Sequence, residues 1–247
     1  MKRSIKRWNL KKIFVIAGVA AMVAGFAGCG GTKKDADKTT EINVGYFNNV
    51  THAQALYMKA QGTLDKAFDG NGSNFQQICE YFQGNADITV DVLIVNKEKA
   101  YVRQRAHHLG VENYYFNRED FYHTNKLVDL LLSREVDLIV LAGFLWLLPE
   151  NLLAAFPNKI INIHPALLPN YGGKGMYGHN VHEAVIAAHE RESGITIHYV
   201  NEHYDSGDII FQAKCTLSNR DTVESLEEKI HLLEKEYYPK TIERLLQ

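Results

Sequence analysis

A short apolar run that ends in a polar pair and two prolines constrains the fold and chemistry of this chain more than any other stretch. The run begins at Ile160, and its alternation predicts a short buried strand. Because Asn162 and His164 are two residues apart, an extended backbone points both side chains to the same face. Pro165 lacks the N–H that would continue strand pairing, and Pro169 stiffens the loop. The pattern predicts a rigid strand end suited to chemistry on a carbonyl group; the alternative is a histidine that only hydrogen-bonds to its loop.

The rest of the chain beyond residue 70 alternates between strand and helix patterns. Such alternation is typical of an α/β protein with an open, mainly parallel, Rossmann-like sheet and helices on both faces. The predicted strands are Val90–Val95, Asn113–Phe116, Val136–Ala142, Ile195–Val200 and Ile209–Thr216. The predicted helices are Glu98–Leu109, Arg118–Arg134, Pro149–Phe156, Asn180–His189 and Val223–Leu246.

The charge distribution argues against nucleic acid as a partner. Residues 1–38 hold nine Lys and Arg against two Asp and Glu, which leaves 18 basic and 27 acidic residues in the remainder. An acidic body lacks the basic face that phosphate binding needs. The three cysteines (Cys29, Cys79 and Cys215) are far apart, and their spacing fits neither a disulfide framework nor a zinc site.

The N-terminus has the pattern of an export signal. Met1–Lys12 is basic, and Ile13–Gly28 is a 16-residue stretch of apolar and small residues, short for a bilayer span. The pattern predicts a hydrophobic signal helix within residues 1–29. Small residues before Cys29 resemble a bacterial lipobox, which would attach a lipid to that cysteine and the chain to a membrane. A plain membrane anchor is the alternative.

Residues 30–69 form a separate segment between the signal and the main domain, residues 70–247. Gly30–Thr40 is a polar tether, Ile42–Phe47 alternates like a strand, and Val50–Phe68 has helical spacing. The segment resembles the start of substrate-binding lipoproteins of ABC importers. It is too short to build a ligand cleft between two lobes, so we interpret it as a truncated fragment.

A glycine-rich turn, Gly70–Asn74, then leads into a helix. Backbone N–H groups at a helix N-terminus bind phosphate well, although such a turn is more often only a mobile loop. In phosphate-binding folds the glycines follow a buried strand, whereas residues 61–69 have a helix or loop pattern. The first strand of the sheet is therefore expected to be replaced. We predict that Ile42–Phe47 fills its place, between Val90–Val95 and Val136–Ala142.

The run Asn-Ile-His-Pro-Ala-Leu-Leu-Pro, residues 162–169, resembles the signature of the folate-dependent formyltransferases. Within them it is most similar to the glycinamide ribonucleotide formyltransferases, over about Gly70–Gln247. The resemblance implies the formyltransferase fold and small-molecule substrates. It implies formyl transfer from 10-formyltetrahydrofolate to the amine of glycinamide ribonucleotide in IMP biosynthesis. It also implies a cytoplasmic enzyme without a metal, which conflicts with an exported N-terminus.

The resemblance also assigns residues to roles. Asn162 and His164 are implied to stabilise the formyl oxygen, with Asp205 against the histidine to favour its imidazolium form. By residue type alone, Asp205 fits a polar turn equally well, and the apolar run after Gly143 fits simple core. The implied ribonucleotide contacts are Gly72, Ser73, Asn74 and Glu234. The implied folate contacts are Arg118, Leu145, Trp146, Leu147, Leu148, Asn162, Val200 and Asn201.

Three other functions remain open. A formyltransferase acting on methionyl-tRNA is one, but those enzymes add a nucleic-acid-binding C-terminal domain that we do not expect here. An importer lipoprotein and an inert chimera are the other two. A metal site is a further alternative, because His179 and His182 share a helix face, yet no third ligand follows at a fixed spacing. The sequence does not indicate an oligomeric state.

Overall fold

A computed structural model of the protein describes residues 11–17 and 72–247. These residues belong to one compact unit, made of Met1–Ala20 together with Gly70–Gln247. The predicted tether and importer-like fragment, residues 30–69, lie outside the described residues.

The described residues form a seven-stranded sheet with the order β3-β2-β1-β4-β5-β6-β7. The first five of these strands are parallel, β6 is antiparallel to β5, and β7 is antiparallel to β6. This confirms the predicted α/β class and the mainly parallel sheet. The strands are β1 Lys11–Ala17, β2 Ile88–Val95, β3 Glu112–Tyr115, β4 Leu138–Ala142, β5 Ile160–His164, β6 Glu192–Tyr199 and β7 Ile209–Thr216. The helices are α1 Ser73–Phe82, α2 Val102–His108, α3 Arg118–His123, α4 Lys126–Ser133, α5 Glu150–Ala155, α6 His179–Ala187 and α7 Val223–Leu246.

The strand β1 lies at the centre of the sheet. It pairs with β2 along one edge and with β4 along the other, in parallel on both sides. From Ile13 to Ala17 every residue is at most 2% exposed. A strand buried on both faces needs a continuous apolar run, which Ile13–Ala17 supplies.

The two faces of β1 contribute to two different cores. Ile13, Val15 and Ala17 pack in the core beneath α1, α2, α6 and α7. Phe14 and Ile16 pack in the core beneath α3, α4 and α5. Because strand side chains alternate between faces, one strand joins both helical layers.

Two predictions about the N-terminus are wrong. The place between β2 and β4 is not filled by Ile42–Phe47, which lies outside the described residues, but by Lys11–Ala17. Since both edges of β1 are paired, no position beside β2 and β4 remains for another strand. The predicted signal helix is also wrong over Ile13–Ala17, which is extended; the remainder of the predicted signal lies outside the described residues. No helix in the described ranges has both the length and the apolar character needed to span a membrane.

One predicted helix is divided, and the others are confirmed with small changes at their ends. The expected helix Arg118–Arg134 breaks into α3 and α4 at Thr124, whose backbone is extended. The Thr124 hydroxyl donates to the Asp120 carbonyl at 2.8 Å. That carbonyl would otherwise accept a backbone N–H within a continuous helix, so the side chain allows the chain to turn.

Candidate active site

The pairing of β5 with β6 sets the geometry of the polar strand end. Asn162 lies directly opposite His198, and His164 lies directly opposite Thr196. Residues opposed in an antiparallel pair share a face, with side chains close together. Four polar side chains therefore form one patch on the sheet at the carboxyl end of β5.

His164 is 3% exposed, and both of its ring nitrogens face oxygen atoms. Its Nε2 lies 2.8 Å from the Tyr171 carbonyl oxygen, and its Nδ1 lies 3.6 Å from the Asp205 carboxylate. Burial lowers the pKa of His164, while the Asp205 charge and the Tyr171 carbonyl act in the opposite direction. The imidazole is thus largely dehydrated, beside a carboxylate that can stabilise its charged form.

Asp205 connects this patch to the glycine-rich loop after β5. Its Oδ1 lies 3.6 Å from His164 Nδ1 and 3.7 Å from His198 Nε2, and its Oδ2 accepts the Gly173 N–H at 3.0 Å. One carboxylate therefore faces two imidazoles and fixes the loop. The structure brings together Asn162, His164 and Asp205, the three residues to which the family resemblance assigns catalysis.

A cavity opens beside this patch, with an apolar side and a polar end. Its volume is about 50 Å³, smaller than the roughly 300–1,000 Å³ of typical ligand pockets, so it must widen around a ligand. The lining residues predicted for folate are Trp146, Leu147, Leu148, Asn162, Val200 and Asn201, joined by Leu141, Phe144, His198, His203, Tyr204 and Asp205. Most of the predicted folate contacts thus share one cavity.

Two of the predicted folate residues lie around this cavity rather than in its lining. Arg118 places its guanidinium 5.0 Å from the ring centre of Trp146, at the start of α3. Tyr122, one turn further along α3, stacks on the same indole and donates its hydroxyl to the Leu147 carbonyl at 3.0 Å. Leu145 contributes a carbonyl that accepts the Tyr204 hydroxyl at 3.4 Å. Arg118 therefore packs against the outside of the apolar wall through Trp146.

A larger cleft of about 340 Å³ lies next to this wall and shares no lining residue with the cavity. It is lined by Tyr122, His123, Thr124, Asn125, Pro149, Glu150 and Asn151. None of the predicted catalytic residues lines it. We therefore place the chemistry in the smaller cavity, whose lining includes Asn162, His198 and Asp205. His164 is not part of that lining and adjoins it through Asp205, 3.6 Å from its Nδ1.

The predicted phosphate loop forms a second group of residues. Gly72 precedes α1 with a φ of +96°, and a Cβ there would lie 2.2 Å from Cγ2 of Val102, so the position requires glycine. Asn74 donates its Nδ2 to the Glu234 carboxylate at 3.1 Å, and Glu234 is 9% exposed. Gly72, Ser73, Asn74 and Glu234 thus meet where the N-terminus of α1 packs against α7.

Both groups lie at the same edge of the sheet. Five residues, 83–87, connect the end of α1 to β2, so α1 runs opposite to the strands and begins at their carboxyl edge. His164 ends β5 at that edge too. In open parallel sheets ligands bind outside the carboxyl ends of the strands.

The sequence prediction missed several participating groups. The Tyr171 carbonyl and the Gly173 N–H belong to backbone, which no residue type reveals. Thr196 carries a weak signal, because Ile195–His198 alternates apolar and polar residues like the run that ends at His164. His198 was not missed, since the family resemblance implies that it points towards the pocket. Only the register with β5 shows which residues they face.

The two histidines of α6, His179 and His182, are not arranged with other described residues as a metal site. His179 Nε2 lies 3.3 Å from the Glu183 carboxylate, one turn away. His182 is 2% exposed, and burial lowers its pKa to about 4. Among the described residues, no group of three or more His, Cys, Asp or Glu side chains has an arrangement that could hold a metal ion.

Comparison with known proteins identifies relatives of this chain. The chain is 40% identical over 179 residues to a protein from Arabidopsis thaliana, named phosphoribosylglycinamide formyltransferase, chloroplastic; the match covers 70% of this chain and 61% of the relative. The chain thus spans about three fifths of the plant protein. A Bacillus subtilis protein, named phosphoribosylglycinamide formyltransferase, is 37% identical over 182 residues, covering 72% of this chain and 91% of the relative.

Two solved structures are similar to this chain in fold. The phosphoribosylglycinamide formyltransferase from Streptococcus pneumoniae matches with a TM-score of 0.67 and 27% identity, covering 96% of this chain and 100% of that chain. The glycinamide ribonucleotide transformylase 1 from Geobacillus kaustophilus matches with a TM-score of 0.69 and 26% identity, covering 97% of this chain and 100% of that chain.

The sequence profile described as formyl transferase matches residues 67–242, which is more than half of the chain. These residues contain β5, the strand that ends in Asn162-Ile163-His164, and the Asp205 loop that faces it. The chain belongs to the formyl transferase family.

Proposed function

We propose that this protein transfers the formyl group of 10-formyltetrahydrofolate to the amine of glycinamide ribonucleotide, a step of de novo purine (IMP) biosynthesis. The observation that carries the proposal is the meeting of Asn162, His164 and Asp205 at the carboxyl end of β5, beside an apolar cavity. The names of the relatives support this substrate pair.

In the proposed reaction the ribonucleotide amine attacks the formyl carbon. A carbon–nitrogen bond forms to the amine, the bond to the folate nitrogen breaks, and negative charge develops on the formyl oxygen between these events. Asn162 supplies an N–H donor on one face of β5, and His164 on the same face becomes a second, charged donor once it has taken up a proton. A preorganised donor of this kind lowers such a barrier by about 3 kcal/mol.

The reaction also moves a proton from the attacking amine to the leaving folate nitrogen. Because burial lowers the pKa of His164, its neutral form is available to accept this proton. Asp205, 3.6 Å from Nδ1, stabilises the imidazolium that results. His164 then returns the proton to the folate nitrogen. No covalent enzyme intermediate is required.

We propose that two separate groups of residues bind the two substrates. Trp146, Leu147 and Leu148 supply an apolar wall for a flat ring, and polar groups at the cavity end match a ring with hydrogen-bonding edges. We propose that Val200 and Asn201 complete this folate site and that Arg118 contacts the folate carrier. The N-terminus of α1, with Gly72, Ser73 and Asn74, would hold the ribonucleotide phosphate, and Glu234 would contact the ribonucleotide beside it.

We further propose that the enzyme acts in the cytoplasm and that residues 30–69 derive from an importer lipoprotein without contributing to catalysis. The central position of Lys11–Ala17 in the sheet supports retention of the N-terminal residues. Lipidation at Cys29 would require cleavage before that cysteine, and the mature chain would lack β1. Membrane attachment and formyl transfer are therefore alternatives for one molecule.

A direct assay of the purified full chain tests the proposal. Formyl transfer is followed from 10-formyltetrahydrofolate to glycinamide ribonucleotide, with methionyl-tRNA as the competing acceptor. We expect activity with the ribonucleotide and a loss of at least about 100-fold in kcat for Asn162→Ala, with unchanged thermal melting. The exposed His108→Ala serves as the control. Preference for methionyl-tRNA, or a folded chain inactive with both acceptors, would contradict the proposal.

A further inference from the structure

His198 makes two hydrogen bonds that constrain where its proton lies. Its Nδ1 is 2.8 Å from the Tyr199 carbonyl oxygen. A carbonyl oxygen only accepts hydrogen bonds, so Nδ1 must carry the hydrogen. Burial lowers the pKa of His198, which favours the neutral ring, and in that form Nε2 presents a lone pair.

The Nε2 lone pair faces the amide of Asn162. Asn162 Nδ2 lies 3.2 Å from His198 Nε2, and the two residues are directly opposed in the β5–β6 pairing. A lone pair accepts from an N–H, so this contact holds the NH2 side of the amide towards His198. The Asp205 carboxylate is the charged group nearest to Nε2, at 3.7 Å, which is beyond ordinary hydrogen-bond length.

The orientation of the Asn162 amide matters because its two ends have opposite character. Rotation by half a turn exchanges an N–H donor for a carbonyl acceptor with almost no change in shape. A donor stabilises negative charge on a nearby oxygen, and an acceptor repels it. The described contacts include no second partner for the Asn162 side chain, so His198 is the group that distinguishes the two orientations.

We propose that His198 is a positioning residue, which selects the orientation of Asn162 that donates an N–H to the formyl oxygen. The inference rests on the proposed formyl transfer, since it assigns His198 a role in the same site. His198 acts through Asn162 and need not contact the substrate. An aromatic ring of the same size would not orient the Asn162 amide. The hydrogen-bond acceptor at Nε2 is what this role requires.

The first test reads the tautomer without any substrate. Long-range 1H–15N spectra of the full chain, at a pH above 7.5, assign the His198 nitrogens by comparison with His198→Phe. We expect a neutral ring with hydrogen on Nδ1 and none on Nε2. Hydrogen on Nε2 would overturn the inference, whether or not the chain transfers formyl groups.

The second test separates positioning from structure. His198→Phe should lower kcat by about 10- to 100-fold and leave KM for both substrates within about threefold of wild type. His198→Gln, whose carbonyl can accept from Asn162 Nδ2, should recover part of that loss. His108→Phe, on the exposed side of α2, is the matched control.

The outcomes distinguish this inference from the proposed function. Near-normal kcat in His198→Phe, or equal loss in the Phe and Gln variants, would overturn the positioning role. A wild-type chain without formyl transfer would overturn the proposed function instead, and the tautomer measurement would then decide the inference by itself.

Discussion

Lys12 and Asp137 form two hydrogen bonds with each other at the start of the central strand, β1. The Lys12 N–H donates to the Asp137 carboxylate at 2.9 Å, and the Asp137 N–H donates to the Lys12 carbonyl at 3.2 Å. Lys11 adds an ion pair to the same carboxylate at 3.5 Å. Basic residues expected to precede an export signal thus align β1 with β4.

The first prediction compares two deletions. Removing residues 1–29 takes away β1, whose four large buried side chains, Ile13, Phe14, Val15 and Ile16, contribute about 1.5–3 kcal/mol each. That sum matches the whole stability of a typical domain, so the product should not fold. Removing residues 19–69 keeps β1 and leaves a short connection to α1, of the length usual between a strand and its helix.

Circular dichroism and melting of both products check this prediction. We expect cooperative melting for the chain lacking residues 19–69 and none for the chain lacking residues 1–29. Cooperative melting of the second product, with formyl transfer intact, would show that another segment supplies the central strand.

The second prediction places a charge inside β1. Val15 is 0% exposed, so Val15→Asp would bury an unpaired carboxylate at a cost of several kcal/mol. Lys11→Ala removes only a partly exposed ion pair and should cost no more than about 1 kcal/mol. Urea unfolding of both purified variants measures the difference. Equal stabilities would argue against burial of Val15.

The third prediction concerns the hydroxyl that supports the loop after β5. Thr196 Oγ1 donates to the Ala166 carbonyl at 2.6 Å and accepts the Leu168 N–H at 3.0 Å and Gln212 Nε2 at 2.9 Å. Thr196→Val keeps the shape and removes all three bonds. Each buried group left unpaired costs about 1–3 kcal/mol.

We therefore expect Thr196→Val to lower the free energy of unfolding by about 2–4 kcal/mol and to reduce kcat, because the same loop carries the Tyr171 carbonyl beside His164. Thr216→Val, at the exposed end of β7, is the matched control. A stability equal to that of the control would show that the network is not required.

The strand end at Asn162-Ile163-His164 was predictable because alternation and prolines are local signals. Its partners were harder to find. The resemblance implied that His198 faces the pocket, but not that it opposes Asn162. Thr196 and His198 face that strand through antiparallel pairing, and pairing register depends on contacts between distant segments. The sequence therefore indicated the reacting side chains but not the residues that hold them.

The central strand was mispredicted for a different reason. An apolar run between charged residues suits both a signal and a strand buried on two faces, so Ile13–Ala17 does not distinguish them. Residues 18–72 also separate this strand from α1, whereas strand and helix are usually a few residues apart. Strand-like alternation favoured Ile42–Phe47, and the pairing of β1 with β2 and β4 overrides that local signal.

The fourth prediction follows from a buried histidine. Burial lowers the pKa of His182 from 6.5 to about 4, so the unfolded chain binds more protons between these values. Protonation of His182 therefore lowers the free energy of unfolding as the pH falls from 6.5 towards 4, and has no effect above pH 6.5. The full loss is about 3 kcal/mol. The pKa values of His164 and His198 are lowered too, which gives the same sign.

Urea unfolding at pH 8, 6 and 4.5 measures this loss in wild type and His182→Phe. We expect the variant to lose less stability on acidification, by up to about 3 kcal/mol. His108→Phe, which replaces an exposed histidine, should follow wild type. Parallel curves for wild type and His182→Phe would assign the acid sensitivity to other groups.

The last prediction separates ribonucleotide binding from chemistry. Asn74 Nδ2 donates to the Glu234 carboxylate at 3.1 Å, which joins the start of α1 to α7. Glu234→Gln keeps the shape, removes the charge and weakens a charge-assisted bond of about 1.5–3 kcal/mol. KM for the ribonucleotide should therefore rise by about 10-fold or more, while KM for the folate stays within about threefold.

Glu236→Gln, two residues further along α7 and exposed, provides the matched control and should leave both KM values unchanged. Glu234 contacts Asn74 at the start of α1, whereas Asp205 lies beside His164 at the end of β5. Substitutions of the two carboxylates should therefore change different kinetic constants. Asp205→Asn should lower kcat, whereas Glu234→Gln should raise the ribonucleotide KM. If Glu234→Gln lowered only kcat, Glu234 would take part in the chemical step. That result would contradict its assignment to ribonucleotide binding.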